Sequence, residues 1–474
     1  MATLPESGMK VAEDVSRVSP PPGSVPTTSL PLSFFDKIFL AESPVWMQNL
    51  FFYEFRHPTP HFMIITLPKL KTSLSLTLQH FFPFAGNLIF PPSPQTPYIL
   101  YTEGDSVLFT VDESTADFSL LAGDHARHYQ EFQALVPKCS PAIARRSSGS
   151  KQRPIMAIQV TIFPDAGISI GVGFSHVAAD GRTFVHFMKS WASLHRCQGD
   201  LTCLDNNLPS FNREVINDPL GPASGLLTMT GGEISLEGSS SSSSTFINNI
   251  RITCEIKRSE VQLLKDWVEK NCMEAKVSEP IRMSTFVVTC AYLWVCLIKL
   301  QQTGTHQHPS PGDSNSHTYF LFAAECRKHL KLPATYFGNC ITLRLAEAKK
   351  SELLGQKGIL VAATAIGREI MEFQSQPFKD AEDSLPKIFE KFKMRKDIVL
   401  PTSSPKFKVY ETDFGWGRPK KREHVNVRSF GSLSMFSIVE SREDDGGIEF
   451  GLALDPHELE SFNAVFNNGL LKLQ

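Results

Sequence analysis

The sequence predicts a mixed α/β protein organised as two domains, and three observations lead there. A chain of 474 residues is too long for one hydrophobic core, so two units of about 200 residues each are expected. Ile168, Ile170, Val172 and Phe174 alternate with Ser169, Gly171, Gly173 and Ser175, the period of a strand with one buried face. Directly afterwards Phe184, Phe187, Met188, Trp191 and Leu194 recur at three- and four-residue spacing, the stripe of an amphipathic helix. Between Gln198 and Ser244 periodicity fails, Gly, Pro, Asn and Ser accumulate, and Ser239 to Ser244 is an unbroken serine run, the composition of a linker. The expected divisions are residues 1–197, a crossover at 198–244, and residues 245–474, with a segment near 375–400 as a candidate to pack with the first domain.

The elements follow in order. The first 30 residues, rich in Pro and Ser, read as an irregular arm before Leu30 to Phe35 enters the core. Thr66-Leu67-Pro68 opens a helix with Pro68 in its first turn and Leu70, Leu74, Leu78 and Phe81 as its stripe; Pro83 ends it. Pro154 to Phe163 reads as a strand, Pro164 to Gly167 as a turn, and Ile168 to His176 as the antiparallel partner. Beyond the linker, Phe246 to Ile256 alternates as a strand, and Ser259 to Gln262 has the form of a capping box opening a helix. Phe286 to Leu300 is apolar but short of the roughly 20 residues that span a bilayer, so it reads as a buried helix. His306 to His317 is a polar loop, Tyr319 to Ala324 a strand, and Lys350 to Phe373 a helix broken by Gly355 and Gly358. Arg428 to Leu454 forms hairpin strands joined through Glu443 to Gly447, and a helix follows over His457 to Phe466. Strands modestly outnumber helices, as in a mixed α/β class, and no fixed-period repeat is present.

Composition narrows the function. A net charge of −2 and a pI near 6.7 oppose a nucleic-acid footprint, which needs a basic face. The nine cysteines are odd in number and never form C-x-x-C, so neither a disulfide framework nor a metal site is indicated and a reducing compartment fits. The N-terminus carries Glu6, Asp14 and Ser16 without an early apolar run, so no secretory signal is read and a cytoplasmic location is expected, with no membrane partner.

His176-Val-Ala-Ala-Asp180-Gly181 sits where the strand pattern turns into the helix pattern, a place suited to a proton acceptor. Chance alone gives about one H-x-x-x-D in such a chain, so context must decide between a base and a core histidine bonded to a carbonyl. Gly167-Ile-Ser169-Ile-Gly171 matches the nucleophile-elbow pattern, yet Ser169 lies within an alternating strand, on the face opposite His176, where no elbow forms. Asp413-Phe414-Gly415-Trp416-Gly417 joins two glycines to two large aromatics; a structural turn explains it better than catalysis does.

With these two motifs, with Phe81 to Gly86, Glu325-Cys326-Arg327 and Tyr336-Phe-Gly-Asn-Cys340, the chain resembles the plant BAHD acyltransferases over nearly its whole length. The last motif is similar to the branch that acylates anthocyanins and other phenolic glucosides. The resemblance implies two chloramphenicol-acetyltransferase-like domains joined by a long crossover, with a channel between them and His176 midway. It implies a coenzyme A thioester as co-substrate, no permanently bound cofactor, small-molecule partners and a monomer. His176 would be the general base for a sugar hydroxyl. Asp180 would pair with Arg327 and shape the turn, with Gly181 permitting close backbone passage; Asp413, Gly415, Trp416 and Gly417 would be structural. Thr402 is the candidate oxyanion donor, although Ser404 stands where the hydroxycinnamoyl branch has tryptophan. Lys257 and Arg258 are candidates for the coenzyme A phosphates, and Arg182 for a negatively charged acyl group. The expected activity is transfer of a malonyl or hydroxycinnamoyl group to a phenolic glucoside. The alternatives are a non-catalytic ligand-binding scaffold and a carrier-protein-dependent condensation enzyme.

Overall fold

A computed structural model describes residues 14–40, 45–140, 143–144, 149–214, 216, 249–275, 283–303, 316–378, 387–388, 390–391, 397–427, 429–430 and 433–473. The serine run, most of the His306 to His317 loop and Arg428 lie outside them. Among the described residues three sheets carry the fold. One has six strands, with Gly167–Ser175 and Trp46–Glu54 near its middle, one has eight, and a smaller one has five. Helices Leu67–His80 and Gly181–Arg196 pack together on the first sheet; Thr285–Thr303, Gly358–Ser375 and Leu459–Leu471 pack on the second.

The strand that carries the His motif differs from its sequence pattern in one respect. Gly167–Ser175 pairs antiparallel with Met156–Phe163 as expected, but both of its faces are buried. The Ile168 to Phe174 face packs on helices, with the Phe174 ring stacked 4.7 Å from Phe184. The other face looks polar in sequence because it must be thin. A Cβ on Gly171 would stand 2.2 Å from the Leu135 carbonyl oxygen, and one on Gly173 would stand 2.5 Å from Trp46 Nε1. Small residues here serve close packing rather than solvent.

Other boundaries shift for local reasons. The arm contributes two strands, Asp14–Val18 against Val107–Glu113 and Thr28–Pro31 against Tyr98–Tyr101, since sheet edges recruit backbone whatever the flanking prolines. The first long helix starts at Thr59, before Pro68. A wide π turn over Phe62–Thr66, in which the Leu67 amide donates to the Phe62 carbonyl, precedes that proline and relieves the helical ladder where its N–H is missing. The capping box expected at Ser259 is made two residues earlier, with Glu260 accepting from the Lys257 amide at 2.8 Å. The apolar helix runs Thr285–Thr303, longer than expected and apolar enough to cross a membrane by composition, but Val287 through Ile298 are buried among protein side chains. The break at Gly355 falls where expected, between Lys350–Leu354 and Gly358–Ser375.

The two halves exchange strands, and not where the sequence suggested. Asp397–Thr402 lies within the eight-stranded sheet, between His317–Glu325 and Leu433–Glu440, and Ile388 packs with Tyr319, Leu321 and Ile398, so the 375–400 segment does not cross as far as it is described. Lys421–His424 crosses instead, pairing antiparallel with Trp46–Glu54, while Arg127–His128 pairs with Ile250–Ile256. Charge locks the exchange. Buried Glu423 receives Arg127 and Arg251, each at 3.0 Å. Burial alone would raise its carboxyl, but these arginines and Lys421 hold it down at about 2.

Gly171→Ala is expected to destabilise the protein by about 1–3 kcal/mol, because the clash is with backbone that cannot rotate away. A denaturant titration that leaves the unfolding midpoint unchanged contradicts this reading of the thin face.

Candidate active site

The strand Gly167–Ser175 ends with its last amide pairs, and the His176 N–H then donates to the Val45 carbonyl at 2.9 Å, which anchors the residue at the sheet's edge. The helix Gly181–Arg196 opens five residues later because Asp180 caps it: the Asp180 Oδ1 accepts from the Thr183 amide at 2.9 Å. The turn between them is thus pinned at both ends.

Asp180 does not touch the imidazole. Arg327 holds it bidentately, Nη1 to Oδ2 at 2.7 Å and Nη2 to Oδ1 at 3.0 Å, and the Cys340 amide donates to Oδ2 at 3.1 Å. Both partners are about 2% exposed. Burial opposes the Asp180 charge, but Arg327 more than compensates and its carboxyl lies below the usual range. Arg327 also donates to the Thr183 hydroxyl and to the carbonyls of Tyr336 and Gly338. One guanidinium therefore ties the His-motif turn to the Tyr336 to Cys340 segment. A Cβ on Gly181 would meet the Phe407 ring at 2.8 Å, so a larger residue there would have to displace that ring.

The imidazole is oriented by Asn339. Its side-chain NH2 faces three oxygens: Asp36 Oδ1 at 3.0 Å, the His176 carbonyl at 2.8 Å and the Val177 carbonyl at 3.2 Å. That leaves Asn339 Oδ1 as the group 3.1 Å from His176 Nδ1. A carbonyl oxygen accepts, so Nδ1 carries the proton and Nε2 keeps its lone pair. Phe39 stacks on one face of the ring at 3.8 Å. His176 is partly buried, and burial, outweighing the fields of Asp180 and Asp36, lowers its pKa below the ordinary 6.5. The ring is thus a neutral proton acceptor presented on one nitrogen.

Asp36 anchors Asn339 in turn. It is fully buried, accepts from the Asn339 amide at 3.0 Å and from the Ser33 amide and hydroxyl, and pairs with Arg213 of the crossover. Asn339 and Asp36 were both missed in sequence. The signal for Asp36 was an acid inside the apolar run Leu30 to Phe39, which must find buried partners; Asn339 was read only as part of a motif.

The remaining candidates divide. The Thr402 hydroxyl lies 2.7 Å from His424 Nδ1 and 3.2 Å from the Phe436 carbonyl, so it already has partners. Asp413 Oδ1 accepts from the Gly415 and Gly417 amides at 2.7 and 2.9 Å, both glycines have φ above +89°, and Asp413 reaches Arg196. Phe414 and Trp416 pack on Tyr53, and Phe414 also on Trp191. This loop meets the last turn of Gly181–Arg196, whose other end carries the His motif, so it stands roughly 20 Å from His176. Arg182 lies on that helix's first turn with its Nε buried and unpartnered. Lys257 and Arg258 are exposed at the start of Arg258–Glu274, beside the turn at Asp444, and no described contact joins them to His176. No group of three or more metal-ligating side chains occurs among the described residues.

Comparison with known proteins adds to this geometry. The Transferase family model matches residues 9–468. The chain is 38% identical over 468 residues to a coumaroyl-CoA:anthocyanidin 3-O-glucoside-6''-O-coumaroyltransferase of Arabidopsis thaliana, covering 97% of each. It is 34% identical over 465 residues to a malonyl-coenzyme A:anthocyanin 3-O-glucoside-6''-O-malonyltransferase of Dahlia pinnata, covering 96% of each. Among solved structures, vinorine synthase aligns with a TM-score of 0.67 at 18% identity over 98% of both chains, a likeness of fold.

Removing Arg327 leaves a buried carboxylate without its counter-ion. Arg327→Ala is expected to cost about 3–5 kcal/mol, read as a fall in the unfolding midpoint, with Asp180→Asn/Arg327→Ala costing less than the sum of the two single changes. Strict additivity would show that the pair does not act as a unit.

Proposed function

The chain belongs to the Transferase family, the BAHD acyltransferases, and from that premise we propose that it moves a malonyl or hydroxycinnamoyl group from coenzyme A to a sugar hydroxyl of an anthocyanin, a flavonoid glucoside or another phenolic glucoside. It is an acyltransferase that uses a coenzyme A thioester as co-substrate. The names of the relatives support both acyl groups and the glucoside class.

One observation carries the mechanism: the locked Asn339 amide, which leaves His176 Nε2 as the acceptor. A sugar hydroxyl is a poor nucleophile near neutral pH. In this reading Nε2 takes its proton as the oxygen attacks the thioester carbonyl, and a tetrahedral oxyanion forms. The C–S bond then breaks, and the imidazolium returns the proton to the departing sulfur. Atoms and charge balance without an acyl-enzyme. Arg182, with its unpartnered Nε, is a proposed contact for a carboxylate-bearing acyl group. Lys257 and Arg258, exposed beside one another, are proposed contacts for the phosphates of coenzyme A. We also propose a cytoplasmic, monomeric enzyme.

The purified protein incubated with a panel of acyl-CoAs and phenolic glucosides should yield product masses increased by one acyl group, and His176→Ala should lower kcat by about 10²–10⁴. Turnover untouched by that change removes His176 from the chemistry. The pH dependence follows from the lowered pKa. The base works when neutral, so kcat/KM should hold as pH falls through 6.5 and decline only below it; an acid limb at or above 6.5 contradicts the burial-lowered imidazole.

A further inference from the structure

The first residues of the crossover lie on the groups that support the base. His186 Nε2, on the helix that follows the His motif, donates to the Asn207 carbonyl at 2.6 Å. The Ser210 amide donates to the Thr335 carbonyl at 3.0 Å, and the Ser210 carbonyl accepts from the Phe337 amide at 2.8 Å, a bridge to the segment that carries Asn339. The Phe211 ring packs against Phe82 and Phe337, 4.9 and 5.3 Å away. Arg213 completes the series: its Nη1 donates to the Pro31 carbonyl at 2.9 Å and pairs with Asp36.

The pairing matters because of what Asp36 does for Asn339. The buried carboxylate accepts from the Ser33 amide and hydroxyl, from the Asn339 amide and NH2, and from Arg213. The first four donors are neutral, and Arg213 is the cation paired with Asp36 among the described residues. A buried charge that meets neutral donors alone is costly, so Arg213 balances it. The interaction is mutual: burial works against the guanidinium charge, and the field of Asp36 outweighs burial and raises its pKa. An ionised carboxylate only accepts, which turns the NH2 end of the Asn339 side chain toward it and leaves Oδ1 for His176 Nδ1. A neutral group at position 36 would carry a donor of its own and would meet either end of the amide. Turned over, Asn339 would offer its NH2 to Nδ1, and the ring proton would move to Nε2, the nitrogen that must stay bare. The His176 and Val177 carbonyls favour the observed orientation through neutral bonds, about half as strong as a charge-assisted one, so losing the charge weakens the lock without abolishing it.

Resting on the acyl-transfer reading, we propose that Arg213 is a positioning residue for His176: by balancing the buried charge of Asp36 it holds the Asn339 amide in the orientation that keeps the ring proton on Nδ1. The crossover is therefore part of the catalytic assembly as well as the tether between the halves. Arg213 acts through two intermediaries, and it takes no part in proton transfer.

The test uses the full-length enzyme, an acyl-CoA and a glucoside that the wild type turns over, together with nitrogen NMR spectra of histidine-labelled protein in which the His176 ring is assigned by its loss in His176→Ala. The wild type should show His176 protonated at Nδ1 and bare at Nε2. Arg213→Met should lower kcat by about 10–10², part of the roughly 10²–10⁴ that general-base catalysis supplies, with KM for both substrates within about threefold and the ring proton shared between the two nitrogens. Arg213→Lys keeps the cation and should hold kcat within about fivefold of wild type, with the wild-type tautomer. Added to Asp36→Asn, Arg213→Met should change kcat by less than about twofold, because the charge it balances is already gone. A Met variant with the wild-type tautomer, or a Lys variant as slow as Met, overturns the proposal. If Arg213→Met is not recovered folded, Asp36→Asn and Asp36→Asn/Arg213→Met decide, and unequal kcat values overturn it. A wild type that consumes no acyl-CoA on any acceptor overturns the acyl-transfer reading and this proposal with it, whereas a tautomer that stays fixed while turnover persists overturns this proposal alone.

Discussion

Everything at this site depends on the Asp180–Arg327 ion pair. A bidentate salt bridge buried this deeply gains little net stability over a hydrophobic contact, because desolvation consumes most of the Coulomb attraction. Its value here is geometric. The carboxylate caps the helix after the His motif and accepts from Cys340, while the guanidinium collects the carbonyls of Tyr336 and Gly338. Two segments nearly 160 residues apart are thereby clamped in register. Asn339 lies between Gly338 and Cys340, so the same clamp delivers the amide that orients His176. The aspartate of the His motif governs the setting of His176 without touching its ring.

The first and second halves meet through charged groups as well as apolar ones. Glu423 is shared by Arg127 and Arg251, both of whose guanidinium groups lie over the Phe132 ring. Lys421, two residues before Glu423, reaches Asp124 and Glu449. Alternate residues of one four-residue strand therefore face opposite ways: Lys421 and Glu423 toward this network, Arg422 and His424 toward the other face of the sheet. A strand of Lys, Arg, Glu and His is buried on both sides with partners drawn from both halves: Asp124, Arg127 and Asn49 from the first, Glu449, Arg251 and Thr402 from the second.

That composition explains what could be read in the sequence and what could not. The strand-to-helix turn at His176 was legible because its two periods, two and then 3.6, abut within a few residues. The Asp413 to Gly417 loop was legible as structure because glycines and large aromatics have few other joint uses. Local elements such as the break at Gly355 followed from backbone chemistry alone. Lys421–His424 and Arg127–His128 were invisible, since strands of four and two residues with charged side chains carry no hydrophobic alternation. Asn339 and Asp36 were missed for a different reason. Their importance lies in contacts spanning 163 and 303 residues, which no local window contains. Thr402 was found, but the His424 ring that its hydroxyl meets was not.

The exchanged strand also bears on how the chain is made. Trp46–Glu54 leaves the ribosome long before its neighbour at residues 421–424 is synthesised. Until then one side of an apolar strand containing Leu50, Phe51, Phe52 and Tyr53 has no hydrogen-bonding neighbour, an open template for aggregation. Nascent chains of this protein must therefore shelter that edge until residues 421–424 are made, and a product truncated before residue 421 would leave the ribosome with it bare.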